Sequence, residues 1–330
     1  DGGVDVLLRQ QNPWSWPLAF GRTENETMSS DTTYDGATLR QSVRLLAAMQ
    51  SDAMIEPVNA ALSRAADGTR SIQAEVTGTK LDADKVQAAV AAAVDGGETE
   101  LSLEEAGCYI NPTVYVNDET LISRMNTWNQ YLKAVGLTYD FSDRKEVFDL
   151  ATLEGLITDD GQTVAVSQTK VANLVQAWKE KYDTFGRTRQ FKTHDGTVIT
   201  MSGGDYGWVL LKDKTASQII QNIKDGVTSV QQPLYLYSAK SRNVDDIGGT
   251  YVEVCISKQE MWCYKNYVCI VDTPVVTGNV TLGNGTHTGC FAIDAKKSPS
   301  VLKGEDYASE VTYWMPFNGN EGIHDADGWR

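Results

Sequence analysis

Apolar positions recur at helical spacing in several stretches of the chain. Leu39, Val43 and Leu46 lie four and three apart, and Leu121, Met125, Trp128 and Leu132 repeat the rhythm, so each group lines one helix face. Between Ser167 and Tyr182, the residues Val171, Leu174, Val175, Trp178 and Tyr182 share one face, and Ser167 supplies an N-cap hydroxyl. An alanine-rich run from Val86 to Val94, broken by Gln87, predicts a helix over 83–94 that is far too short to span a bilayer. Arg189–Thr193 and Thr197–Met201 flank Asp195-Gly196, which predicts a type I′ hairpin with His194 exposed at its turn. From Thr250 the period shortens. Tyr251–Ile256, Met261–Tyr264, Tyr267–Val271 and Val275–Thr277 are short alternating or apolar runs between turn residues, the pattern of an all-β domain. A two-residue turn at Lys265-Asn266 would pair Cys263 with Val268 and Trp262 with Cys269.

One block of this pattern occurs twice. Val76-Thr77-Gly78, Leu81, Asp84-Lys85, a helix and Asp95-Gly96 recur as Met201-Ser202-Gly203, Leu210, Asp213-Lys214, a helix over 215–224 and Asp225-Gly226. The second copy carries Gly203-Gly204-Asp205-Tyr206-Gly207-Trp208, which lacks the spacing of a phosphate-cradling loop and reads as a tight turn between strands. Near the start, Trp14 and Trp16 lie among prolines, where anchoring a loop onto a core is a better account than stacking on sugars.

Length and composition narrow the class. A chain of 330 residues accommodates two or three domains, and 41% apolar with 22% charged residues is ordinary for a globular protein. Net charge is −15, concentrated in residues 1–118, with no basic stripe; nucleic acid is therefore excluded as a partner. Five cysteines, at 108, 255, 263, 269 and 290, form an odd set without a CxxC, and the hairpin register puts Cys263 and Cys269 on opposite faces. Free cysteines that behave as small buried hydrophobes are expected. Three histidines, at 194, 287 and 324, have no metal-ligand spacing.

Four segments of the last third carry a resemblance: Val275-Val276-Thr277-Gly278-Asn279, Gly289-Cys290-Phe291-Ala292-Ile293, Tyr313-Trp314-Met315-Pro316-Phe317 and Gly322-Ile323-His324-Asp325. Their succession resembles the catalytic domain of the L,D-transpeptidases (the YkuD family), cysteine-dependent enzymes that cross-link bacterial cell wall. Thr184-Phe185-Gly186 and the Gly203–Trp208 segment resemble the peptidoglycan-binding domain that often precedes it in Gram-positive bacteria, over most of 34–235. The resemblance implies an α+β multidomain fold: two related peptidoglycan-binding-like units, then a mainly-β catalytic domain that is incomplete. The expected divisions are 1–33, the tail of an earlier unit; 34–117 and 118–240, the two units; and 249–330, the catalytic domain.

The same resemblance implies the chemistry. A cysteine thiolate attacks the carbonyl at stem position three, D-alanine leaves, and an amine of a neighbouring stem resolves the thioester; no metal or organic cofactor takes part. His324 becomes the candidate acid–base residue, because a neighbouring imidazole can take the thiol proton. Asp325 or its carbonyl becomes the group that orients it. Tyr313, Trp314, Met315 and Gly322 become candidates for the substrate cleft. Thr286-His287-Thr288-Gly289-Cys290 imitates the family's [ST]-H-G-C-x-N nucleophile segment, but Thr288 interrupts it and it precedes the histidine, so Cys290 reads as strand packing. With no such segment within 330 residues, the chain by itself is expected to be inactive. Implied partners are peptidoglycan stem peptides and glycan strands. The implied setting is extracytoplasmic, at a Gram-positive cell wall, with any membrane anchor upstream. A non-catalytic wall-binding module is the alternative.

Overall fold

Asp35 opens the first described helix by accepting hydrogen bonds from the amides of Ala37 and Thr38, which helix geometry leaves unpaired. The structure is a computed structural model that describes residues 34–243, 245–304 and 308–326, together with Arg9 and Trp14. The expected tail 1–33 and Trp16 thus fall mostly or wholly outside the described residues. Trp14 is 88% exposed, so the anchoring on a core expected of it is not found. Two units are distinguished: Asp1–Ser63 with Ser71–Ile122, and Arg64–Arg70 with Ser123–Arg330.

In the first unit, helix α1 (Gly36–Arg44) is followed by strands β1 (Ala61–Arg64) and β2 (Arg70–Gln73) and by helix α2 (Ala83–Gly96). The predicted Leu46 falls beyond the end of α1. Val43, Leu81, Val86 and Cys108 form the core, and Leu39, Met49, Val90 and Tyr109 pack against it. Asp82 caps α2 through the amides of Asp84 and Lys85, and left-handed Gly97 ends it.

The second unit continues through α3 (Glu119–Leu132), β3 (Thr138–Asp140), β4 (Lys145–Val147), α4 (Leu150–Leu156), β5 (Ile157–Asp159), β6 (Val164–Val166) and α5 (Gln168–Tyr182). The side chain of Ser167 caps α5 as expected, and Val171, Val175, Trp178 and Tyr182 are its buried face. Trp178 meets Tyr139, Phe141 and Phe148 at ring distances of 5.4 to 6.1 Å, an aromatic core that fixes α5 over β3 and β4. Then follow β7 (Arg189–Lys192), β8 (Val198–Met201), β9 (Val209–Leu210), α6 (Lys212–Asp225), β10 (Val230–Gln231) and β11 (Tyr235–Tyr237).

The repeat is visible in hydrogen bonds. In both copies an Asp-Gly-Thr turn closes a hairpin, with Ala65 N bonded to Thr69 O and Thr193 N bonded to Thr197 O, at 2.9 and 2.8 Å. Gly68 and Gly196 share a φ of +86° and +85°. Leu81 bridges Tyr109 and Leu210 pairs with Tyr235, both antiparallel, each leucine immediately preceding a helix that ends on a left-handed glycine. The turn is not type I′, since Gly196 alone within it has positive φ; it is a type I turn with a glycine bulge.

The β-rich part begins with β12 (Val252–Cys255), β13 (Glu260–Lys265) and β14 (Val268–Pro274), an antiparallel meander. Its second turn is Asn266-Tyr267, both at positive φ (52° and 67°), one residue later than expected. Lys265 therefore pairs with Val268 and Tyr264 with Cys269, and a bulge leaves Cys263 opposite Val271. All five cysteines are free. Val275–Thr277 and 286–293 form no ladder, so Cys290, expected to pack in a strand, lies in irregular chain. Two further hairpins follow: β15 (Ser300–Lys303) with β16 (Ala308–Val311), and β17 (Trp314–Asn318) with β18 (Glu321–His324).

Candidate active site

The β17–β18 hairpin carries the histidine singled out above. Trp314 pairs with His324, Met315 with Ile323 and Pro316 with Gly322. Side chains alternate along a strand, so Trp314, Gly322 and His324 share one face, while Met315 and Ile323 share the other. Gly322 is the seat of the indole: a Cβ there would lie 2.6 Å from Trp314 ring carbons. The Trp314 and His324 rings stand 6.1 Å apart. Tyr313, just before β17, is 58% exposed. The structure thus groups Trp314 and Gly322 with His324 and puts Met315 on the opposite face.

His324 is exposed at the end of β18, and its Nδ1 lies 2.8 Å from the carbonyl oxygen of Asp325. A carbonyl only accepts, so Nδ1 carries the proton, and in the neutral ring the lone pair is then on Nε2. The Asp325 carboxylate is turned away from the ring and accepts from the amides of Thr312 (3.0 Å) and Tyr313 (2.7 Å), which hold its pKa down at about 2. It fixes the entry to β17, and its backbone orients the imidazole. Asp327 to Arg330 lie outside the described residues.

A second contact ties the hairpin to the preceding loop. Glu321 accepts from His287 N at 3.0 Å and bonds His287 Nδ1. Partial burial works to raise the Glu321 carboxyl, but the bonds to His287 outweigh it and hold it below its ordinary range. Lys297 and Trp314 exchange two backbone bonds of 2.9 Å, and Asp294 N bonds Pro316 O, so 294–297 runs alongside β17.

Cys290 stands elsewhere in chemical terms. Burial pushes its thiol up to about 11, against a modest lowering by Arg189. A reactive cysteine needs the opposite shift. Its backbone is held by the Gly203–Trp208 segment: Cys290 N donates to Gly203 O, and Tyr206 N donates to Cys290 O, both at 3.1 Å. Gly203 and Gly204 have φ of +88° and +89°, and a Cβ on Gly204 would lie 1.9 Å from Cys290 O. Two backbones cross here at a distance only glycine permits. The Gly203–Trp208 motif is a turn between β8 and β9, as expected, and also a joint that fixes the chain leading to the hairpin.

The joint is anchored by Arg189 and Asp246, which the sequence reading did not single out. Arg189 Nε and Nη2 each lie 2.7 Å from an oxygen of Asp246, with both side chains more than nine-tenths buried. Thr184 Oγ1 donates to the same carboxylate at 2.8 Å. Tyr206 hydroxyl donates to Asp246 O and accepts from Lys240 N, and Trp208 Nε1 donates to Ser241 O. At the β7–β8 tip, exposed His194 stacks on Trp262 at 4.5 Å, with Nδ1 2.7 Å from the Tyr264 hydroxyl and its amide on Glu253. No local sequence pattern pairs Arg189 with Asp246, which lie 57 residues apart.

Among the described residues no group of three or more His, Cys, Asp or Glu could hold a metal ion.

Known proteins match this arrangement. The family model described as "Putative peptidoglycan binding domain" matches residues 26–102 and 114–230, more than half of the chain. Among solved structures, a mutant of the Enterococcus faecium L,D-transpeptidase is 26% identical with a TM-score of 0.50, over 61% of this chain and 82% of that one. The Ldtfm–avibactam carbamoyl enzyme gives the same identity and TM-score over 62% and 81%. No curated protein matches the sequence. The chain therefore belongs to the peptidoglycan-binding-domain family, with two such units preceding a β-rich catalytic domain of the L,D-transpeptidase kind.

Proposed function

We propose that this protein serves peptidoglycan L,D-transpeptidation, with His324 as the acid–base residue. The observation that carries the reading is the His324 Nδ1 bond to Asp325 O, which in the neutral ring leaves the lone pair on Nε2. That nitrogen can take the proton of a cysteine thiol. The thiolate then attacks a stem-peptide carbonyl, the C–N bond breaks, and the imidazolium returns its proton to the leaving D-alanine amine. A side-chain amine of a second stem attacks the thioester, the C–S bond breaks, and the imidazole passes the amine's proton to the departing thiolate, restoring the thiol. Trp314, seated on Gly322 beside His324, would wall the stem peptide; Tyr313 would border it, and Met315 would support the hairpin from behind.

The nucleophile is assigned to none of the five cysteines. Cys290 is held neutral by burial and locked through its backbone, and burial raises Cys263 as well. The 330-residue chain is accordingly expected to gain no mass on incubation with a carbapenem. In a polypeptide that also contains a His-Gly-Cys segment, acylation should occur and His324→Ala should slow it roughly a hundredfold or more. An adduct on the 330-residue chain, or an unslowed variant, would overturn the assignment.

A wall-binding module without catalysis is the second reading, favoured by the length of chain that the peptidoglycan-binding family covers. Under it, no variant at His324 would alter any reaction. A cell-wall setting suits both readings. No helix among the described residues is long and apolar enough to cross a membrane.

A further inference from the structure

A cavity of about 410 Å³ opens between the end of α5, β7 and the segment 242–246, within the second unit. Five cations line it: Arg144, Lys181, Arg187, Arg189 and Arg242. Three are answered internally, since Arg144 pairs with Asp143, Lys181 with Glu146 and Arg189 with Asp246. Arg187 donates only to the carbonyl of Glu180, at 2.7 Å, and is otherwise exposed. Arg242 sits over the rings of Trp208 and Tyr235, at 4.1 and 4.8 Å, and donates one bond to Tyr182 O. Its Nε and Nη2 are buried and, among the described residues, meet no carboxylate or carbonyl, the guanidinium's remaining neighbour being the Tyr235 side chain. Neither Arg187 nor Arg242 makes an ion pair with a carboxylate among the described residues.

A buried guanidinium that meets one carbonyl and aromatic side chains but no carboxylate is an exception in folded proteins and calls for a cause. Two unanswered cations at one cavity leave local positive charge on a chain whose net charge is −15. Anions are repelled by most of such a surface, so this is where one would be held. A long polyanion would also meet the acidic remainder of the surface, whereas a single carboxylate would not. The volume suits the end of a peptide, and planar guanidinium groups match a carboxylate in shape.

We infer that this cavity binds the carboxylate-bearing end of a peptidoglycan stem peptide, separately from the His324 hairpin. The inference rests on the reading that peptidoglycan is the partner. The cavity would then hold one stem by its terminus while the His324 hairpin acts on another.

The test uses the 330-residue protein, titrated calorimetrically with a soluble disaccharide-tetrapeptide, its C-terminal carboxamide form, inorganic phosphate and a phosphodiester wall polymer. Pelleting with insoluble peptidoglycan runs in parallel. The carboxylate form should bind, the carboxamide at least tenfold more weakly, and phosphate should compete. Arg187→Gln should weaken binding about tenfold or more, the scale of a charge-assisted bond. Arg242→Met, which keeps the ring contacts, should do likewise; exposed Arg187 carries the test if that variant fails to fold. Equal binding of the two peptide forms, or unchanged affinity in both variants, would overturn the site while pelleting persists. Preference for the phosphodiester polymer would overturn the carboxylate assignment. Failure to pellet with peptidoglycan at all would remove the underlying reading instead.

Discussion

Removal of the Asp246 carboxylate should be among the most damaging single changes in the second unit. Asp246→Ala deletes both acceptors of the Arg189 fork (2.7 Å each) and the partner of Thr184 Oγ1. The guanidinium keeps its bonds to the carbonyls of Thr184, Tyr206 and Arg187, and cannot turn to solvent without breaking them. It is left as a buried charge without a counter-ion. Breaking such a pair costs about 3–5 kcal/mol. For a unit of this size that lowers Tm by roughly 6–20 °C. Asp246→Asn keeps one acceptor and the shape, so its loss should fall near 1.5–3 kcal/mol, the scale of a hydrogen bond to a charged group. Replacing both partners by apolar residues, Arg189→Met with Asp246→Leu, should restore much of the stability, since the unpaired charge is gone. Denaturant melts would measure the losses, and hydrogen exchange should locate them at 203–207 and 240–248. A loss under about 1 kcal/mol for Asp246→Ala would refute the view that this pair anchors the joint.

Other expectations follow from the same geometry. Gly204→Ala meets both a positive φ and a carbonyl oxygen at 1.9 Å, so it should lose more than about 3 kcal/mol, whereas Gly186→Ala, with 3.5 Å of clearance, should lose about 1–2; equal melts for the two would contradict the crossing. Cys290 should resist iodoacetamide in the native protein at pH 8, as followed by peptide mass spectrometry. Its folded thiol ionises only at about 11 against an ordinary 9.0, so the contribution to stability is full below pH 9 and is lost between 9 and 11. A Cys290→Ser protein should lack that alkaline limb in its melts. Asp325 should titrate at about 2 against an ordinary 3.8, so its hold on 312–313 is complete above pH 4 and fades toward pH 2; an NMR titration of the carboxyl reads this directly.

Local patterns in the sequence gave the helices at 119–132 and 168–182 because their apolar faces recur over three or more turns and Ser167 caps the second. The Asp195-Gly196 hairpin was equally legible, but its turn type was not. Type I′ needs Asp195 in a left-handed conformation, and the chain met the strand twist with a bulge at Gly196 instead. Asn266-Tyr267 went the other way: an aromatic residue accepted positive φ while Gly249, close against its ring and bonded to its amide, left room for it. The shared face of Trp314, Gly322 and His324 follows from alternation once the hairpin register is known, and the sequence alone did not fix that register. Asp246 could not be found from the chain, since its partners lie 57 and 62 residues away in sequence. Gly203-Gly204 was conspicuous as a motif, yet its partner Gly289-Cys290 lies far along the chain.

The central claim is that His324 handles the protons of a transpeptidation. Its most direct test is formation of cross-linked dimers from purified tetrapeptide stems, counted by mass spectrometry, in a polypeptide that joins this chain to a His-Gly-Cys segment. His324→Ala should form dimers roughly a hundredfold more slowly or worse at an unchanged melting temperature, and Cys290→Ser should form them at nearly the unsubstituted rate. An active His324→Ala enzyme beside a folded but inactive Cys290→Ser enzyme would contradict the account.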